Sequence, residues 1–297
     1  MVEEHEHHGI IVGVDGSPAS RVAVDWAAQD AMLRGMPLTV VYVSPTPEML
    51  RWTESEGLSG LRDWHRTKAE EIIRAAVDTA EEASRKAGPL HVRSQILAGS
   101  TIPTLIDLTK DAEMIVVGCR GLGAVRRLLL GSVSAGLVHH AHCPVAVIHD
   151  EDPLMPNPAS APILLGVDGS PASELATEIA FGEANRRGVD IIAVHAWSDV
   201  ALSDFPPVDS SVMQALGDEI LADRLSGWQV KFPDVRVHPI AVTDRPADVL
   251  IKNSEQVQLV VVGSHGRGGF AGMQLGSVGS AVAQSSRMPV IVARRRT

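Results

Sequence analysis

Two acidic glycine turns and two glycine-serine loops hold the residues of this 297-residue chain whose types and spacing point to chemistry. Gly13-Val14-Asp15-Gly16-Ser17-Pro18-Ala19-Ser20 recurs unchanged as Gly166-Val167-Asp168-Gly169-Ser170-Pro171-Ala172-Ser173. Later in each copy, Gly118-x2-Gly121-x9-Gly131-Ser132 is matched by Gly263-x2-Gly266-x9-Gly276-Ser277. Glycine permits positive φ and close approach of the backbone to a ligand. A serine that opens a helix offers its N–H and hydroxyl to an anion at the positive helix end. Gly118, Gly121, Gly131 and Ser132, with Gly263, Gly266, Gly276 and Ser277, are therefore read as phosphate-binding loops. Asp15 and Asp168 are read as acceptors set away from those loops, for a hydrogen bond from a base edge or a ribose hydroxyl. Arg127 and Arg267 add charge for the phosphates. One isolated GxxG would be a turn; two copies of the full spacing, each with an upstream acid, favour two nucleotide sites per chain.

The elements that must position these residues also occur twice, as expected for two copies of one domain. In the first half, β-branched runs at 10–14, 38–43, 92–97, 114–118 and 145–149 read as buried strands. Between them stand a helix opened by Ser17-Pro18 and closed by Gly35, a long helix over 61–87, a short one near 102–109 and one over 132–140. The second half repeats this order from Ile163 to Ala293. A proline-rich stretch over 150–162 separates domains at 1–150 and 151–297. The GVDGS copies lie 168 − 15 = 153 residues apart and the loops 263 − 118 = 145. The first half thus carries eight extra residues, placed between its second and third strands. Alternating strands and helices imply two tandem open-twisted five-stranded parallel sheets flanked by helices, Rossmann-like α/β units. Ligands of such sheets bind where strand order reverses, at the carboxyl ends of the strands. The order 3-2-1-4-5 brings the acidic turn and the glycine loop of each half to one crevice.

Composition narrows the partners. The chain is 45% hydrophobic and 21% charged, suited to packed cores. A net charge of −10 argues against nucleic acid as the main partner. No apolar run approaches the roughly 18–20 residues of a membrane span. The acidic, histidine-rich start lacks the features of a signal peptide, and the expected location is the cytoplasm. Cys119 and Cys143 fall at opposite ends of their strands, too far apart for a disulfide. His5, His7 and His8 have metal-compatible spacing but read as a polar terminus, and no metal site is assigned. Trp26, Trp64 and Trp228 are read as core or interface residues.

Rival motifs fail. GxxxxGK[ST] is absent. Gly266-Arg267-Gly268-Gly269-Phe270-Ala271 fits GxGxxA by letter but follows the fourth strand of its half, where a dinucleotide fingerprint does not occur. The G-x2-G-x9-G-S loop after a strand, joined to an early aspartate, resembles the ATP-binding universal stress protein family in its tandem two-domain form. Gly263-Ser264-His265-Gly266-Arg267-Gly268-Gly269 is close to the typical wording. Gly118-Cys119-Arg120-Gly121-Leu122-Gly123 departs from it while keeping the spacing. The resemblance implies an adenine-nucleotide site in each half, built on Gly13 and Asp15 or Gly166 and Asp168. It adds Gly123, Gly268, Val133 and Val278 to the loop and helix sets. It places Val43 and Ala196, at the end of the second strand, in the base pocket, with Asp199 for the ribose. It implies ATP as ligand, with Mg2+ or Mn2+ as companion, and pairing of the halves through their fifth strands as an intrachain pseudo-dimer. A homodimer and a regulatory protein partner are further expectations.

Three functions are weighed. The favoured one is a nucleotide-dependent regulator of stress response or growth, not an enzyme, in which ATP hydrolysis is slow. The others are an ATP-dependent ligase or nucleotidyl transferase, for which no SGGxDS loop is found, and a dimerising scaffold with decayed sites.

Overall fold

The computed structural model describes residues 8–46, 61–121, 130–149, 157–197, 210–266 and 275–295. They divide into two compact units, 8–149 and 157–295. Unit 1 holds β1 (Ile10–Gly13), α1 (Pro18–Arg34), β2 (Leu38–Ser44), α2 (Leu61–Ala87), β3 (Val92–Ala98), α3 (Thr101–Leu108), β4 (Met114–Gly118), α4 (Ser132–His140) and β5 (Val145–Ile148). Unit 2 holds β6 (Ile163–Gly166), α5 (Pro171–Arg187), β7 (Ile191–Trp197), α6 (Ser210–Lys231), β8 (Val237–Thr243), α7 (Pro246–Ser254), β9 (Leu259–Gly263), α8 (Ser277–Ser285) and β10 (Val290–Ala293). Within unit 1 the strands run parallel in the order β3-β2-β1-β4-β5. Unit 2 follows the same pattern, β8-β7-β6-β9-β10. This is the 3-2-1-4-5 order expected from the sequence. Among the described residues no helix is long and apolar enough to cross a membrane.

The central strands are apolar on both faces because helices cover both. Ile10, Ile11 and Val12 are fully buried, as are Ile163, Leu164 and Leu165. Each such side chain contributes about 1.5–3 kcal/mol of transfer free energy. The helices that follow them are set by local chemistry. Ser17 accepts from the Ser20 N–H at 3.1 Å, Pro18 occupies the first helical position, and Gly35 closes α1 at φ 64°. Ser170, Pro171 and Gly188 repeat these roles in α5. The connection from Ser44 to Val92 exceeds that from Trp197 to Val237 by 48 − 40 = 8 residues, which places the insertion where expected.

Register brings the strand ends together. Gly13 of β1 lies level with Val41 of β2 and Val117 of β4. Gly166 of β6 is level with Val194 of β7. The acidic turn that follows β1 or β6 therefore adjoins the loop that follows β4 or β9.

The tryptophans read as core or interface residues differ from one another. Trp64 is 57% exposed on α2, with its ring edge-on to His65, so it is not a core residue. Trp228 does pack, stacked with Phe181 and Phe232. Both cysteines are buried and unbridged.

Candidate functional site

The aspartates are fixed by their own turns. The Ser17 N–H donates to Asp15 Oδ1 at 2.9 Å, and the Ser170 N–H to Asp168 Oδ1 at 2.9 Å. The residue between acceptor and donor is left-handed in both turns, Gly16 at φ 82° and Gly169 at φ 74°, a conformation that glycine adopts without strain. With Oδ1 engaged, the second oxygen is aimed at the glycine loop. A Cβ placed on Gly121 would overlap Asp15 Oδ2. One on Gly266 would come within 2.6 Å of Asp168 Oδ2. The carboxylates thus touch the start of the loops. The expectation that they stand away from them is overturned: with Oδ1 held by the serine N–H, Oδ2 lies against Gly121 or Gly266.

The positive φ expected of the loop glycines is not found. Gly118, Gly121, Gly131, Gly263, Gly266 and Gly276 are absent from the positive-φ glycines. For Gly118, Gly121, Gly263 and Gly266 the requirement is space. A Cβ on Gly118 would lie 2.8 Å from the Ala19 carbonyl carbon, and one on Gly263 2.9 Å from that of Ala172. These two glycines let the first turn of α1 or α5 rest on the end of its neighbouring strand. Beyond them, the Gly131 N–H donates to the Cys119 carbonyl at 2.8 Å, and the Gly276 N–H to that of Ser264 at 2.7 Å. Each bond closes its loop at the neck.

The loops deliver the chain to α4 and α8. Gly131 and Gly276 are their N-cap residues and bring no capping side chain. Helical bonding starts with the Ala135 and Ser280 N–H groups, so the N–H groups just before them have no intrahelical acceptor. Ser132 and Ser277 stand exposed at these positive ends, next to Val133 and Val278.

In unit 2 these parts surround a cavity of about 380 Å³. That lies within the usual range for small-molecule pockets, about 300–1,000 Å³. Strand residues Gly166, Val194, Ala196 and Val262 line it with Val167 just beyond β6, and Pro246 and Leu250 of α7 add an apolar wall. Asp168, His265, Gly266, Gly276, Ser277 and Val278 supply the polar rim and the helix end. Unit 1 repeats the wall, with Leu105 packed on Gly13 as Leu250 is on Gly166. Val43 is half-buried near the end of β2.

Five expected site residues, Gly123, Arg127, Asp199, Arg267 and Gly268, lie outside the described residues, as do His5 and His7. Pro246, Leu250, Val194 and His265 were not anticipated as lining residues. A short helix opened by a proline directly after the third strand was a usable signal for the first two.

Tyr42, on β2, is pushed above the ordinary tyrosine value by burial and by the negative charge of Asp15. Unit 2 has His195 at the same register position. Its Nδ1 lies 2.7 Å from the Val167 carbonyl, which only accepts, so the proton resides on Nδ1. Among the described residues no group of three or more His, Cys, Asp or Glu side chains is placed to hold a metal.

The chain matches the universal stress protein family model twice, over residues 7–149 and 160–294. It is 54% identical to the universal stress protein Rv2623 of Mycobacterium tuberculosis over 286 residues, 96% of either chain. It is 48% identical to Rv2005c of the same organism, covering 99% of this chain and 100% of that one. The fold is also similar to the crystal structure of a universal stress protein from Archaeoglobus fulgidus, with a TM-score of 0.69 at 21% identity over 98% of this chain and 99% of that one. With both units matched and the turn and loop repeated in each, the chain belongs to the universal stress protein family in its tandem form.

Proposed function

We propose that this tandem universal stress protein binds ATP in each unit and acts as a nucleotide-dependent regulator. The observation that supports the reading best is the unit 2 cavity, which joins an acidic acceptor, an apolar wall and the open N-terminus of α8 in one crevice. The division of labour follows from charge. Asp168 at the start of the loop repels phosphate and accepts from a ribose hydroxyl or base N–H. The α8 end, with Ser277, attracts the phosphates. Leu250, Pro246, Val194 and Ala196 cover the faces of the base. Asp15, Gly131, Ser132 and Leu105 do the same work in unit 1. Mg2+ or Mn2+ would enter as companion of the phosphates.

In this reading the protein is not an enzyme of ordinary turnover. No P-loop lysine is present in the sequence, and hydrolysis, if measured, falls far below the roughly 1–1,000 per second of typical enzymes. Its output passes through assembly with a second copy or a regulatory protein in the cytoplasm. Melting curves test the binding directly. A ligand at about one hundred times its Kd adds roughly 2.7 kcal/mol to the native state. Saturating ATP should raise Tm in the wild type and lose that effect in Asp15→Ala/Asp168→Ala. An unchanged wild-type Tm would remove the proposal.

A further inference from the structure

The two units share the acidic turn and the loop, yet the ties between turn and loop differ. In unit 2 the Ser170 hydroxyl donates to the His265 carbonyl at 3.0 Å, from the turn after β6 to the loop after β9. The Ser170 N–H holds Asp168 Oδ1, and its oxygen accepts from the Ser173 N–H at 3.2 Å. The Asp168 N–H donates in turn to Ser173 Oγ at 3.1 Å. Gly266, the next residue after His265, rests against Asp168 Oδ2. His265 is steadied further by a 2.9 Å hydrogen bond between its Nδ1 and the Ser264 hydroxyl. Carboxylate and loop start are thus locked to one another by side chain and backbone.

Unit 1 has the same cap and the same bond from Ser17 to Asp15. Among the described residues, however, no hydroxyl bond runs from Ser17 to the loop. Ser20 Oγ donates to the Ser17 carbonyl at 2.9 Å. Cys119 and Arg120 replace Ser264 and His265. Ser134, which stands where unit 2 has Gly279, donates to the Cys119 and Gly131 carbonyls at 3.0 and 3.1 Å. That contact joins the loop to its own following helix and does not reach the aspartate turn.

We propose that Ser170 is a positioning residue that holds the unit 2 crevice in its binding geometry, so that the two sites take nucleotide with unequal affinity and unit 2 fills first. The proposal rests on the reading of both crevices as nucleotide sites. A site already held in the bound arrangement loses less conformational freedom when the ligand arrives. The expected separation is that of one neutral hydrogen bond, about fivefold in Kd.

Calorimetric titration of ATP into the nucleotide-stripped full chain tests it. The wild type should give two dissociation constants at least about fivefold apart. Ser170→Ala should weaken the tighter one by about that factor. Ser17→Ala removes an equivalent N-cap from α1 and should leave the tighter constant within about twofold, which separates the loop tie from simple loss of a cap. Ser170→Thr keeps the hydroxyl and should restore wild-type binding. Hydrogen exchange on the free chain reads the tie without any ligand: Ser170→Ala should speed exchange in the segment around 264–266, and Ser17→Ala should not do so around 119–121. Two equal wild-type constants, or equal losses in both alanine variants, would overturn the proposal with nucleotide binding intact. Absence of ATP binding at either site, with the exchange difference still present, would instead overturn the nucleotide reading and this proposal with it.

Discussion

Asp15 and its neighbours give each residue of the site a separable consequence. Gly121 and Gly266 are exposed, yet a methyl group on either collides with the carboxylate oxygen of the paired aspartate. Gly121→Ala and Gly266→Ala are therefore expected to weaken ATP binding at their own site by tenfold or more, about 1.4 kcal/mol, with little change in Tm. Titration calorimetry beside a melting curve reads both. Gly118→Ala and Gly263→Ala press on backbone instead and should lower stability by about 1–3 kcal/mol, measured by urea unfolding. Tyr42 supplies a spectroscopic probe, because the chain has a single tyrosine. Its phenolate absorbance should appear at a pH above the ordinary value of 10.0, and Asp15→Asn should bring the midpoint part of the way down. The folded value is raised, so the stabilisation linked to the neutral phenol is complete below the unfolded value. It is lost as pH rises through the folded one. A midpoint at or below that of free tyrosine would remove Asp15 from its assigned neighbourhood. The types of these residues were legible in sequence, but their directions were not. Whether a glycine is kept for positive φ or for lack of a Cβ depends on what lies across the crevice, and Ala19 and Ala172 reveal that only once the sheet is assembled.

At the scale of elements, local chemistry was the readable part. Ser17-Pro18 and Ser170-Pro171 marked helix starts, and Gly35 and Gly188 marked helix ends, because capping depends on neighbours within four residues. The apolar wall from α3 and α7 was not readable. Leu105 and Leu250 reach the crevice by crossing from a helix to the end of the central strand, a contact that no local pattern encodes. The helices also carry buried charge. Glu183 of α5 is fully buried and paired with Arg187 at 2.9 Å, and Asp30 of α1 with Arg34 at 2.7 Å. Removing one member of such a pair leaves a charge without its counter-ion. Glu183→Ala and Asp30→Ala should each lower unfolding free energy by about 3–5 kcal/mol in chemical denaturation. A loss below about 1 kcal/mol would show these pairs to behave like exposed ones.

For the molecule as a whole, duplication was the strongest signal in the chain. It yielded the domain division, the insertion point and the pairing of turn with loop in each unit, while strand order followed from the rule that ligands bind where that order reverses. It also concealed a difference: eight identical residues in the two turns carry different hydrogen bonds, and among the described residues only the Ser170 hydroxyl, not that of Ser17, reaches the loop it faces. The central claim is that each unit is a nucleotide site. The most direct measurement is acid extraction of freshly purified protein, with chromatographic counting of nucleotide per chain after incubation with saturating ATP and rapid removal of the excess. The expected result is close to two ATP per chain in the wild type and close to one in either Asp15→Ala or Asp168→Ala. Fewer than about 0.1 nucleotide per chain in a wild type that elutes folded, at ATP concentrations well above any useful Kd, would contradict the account.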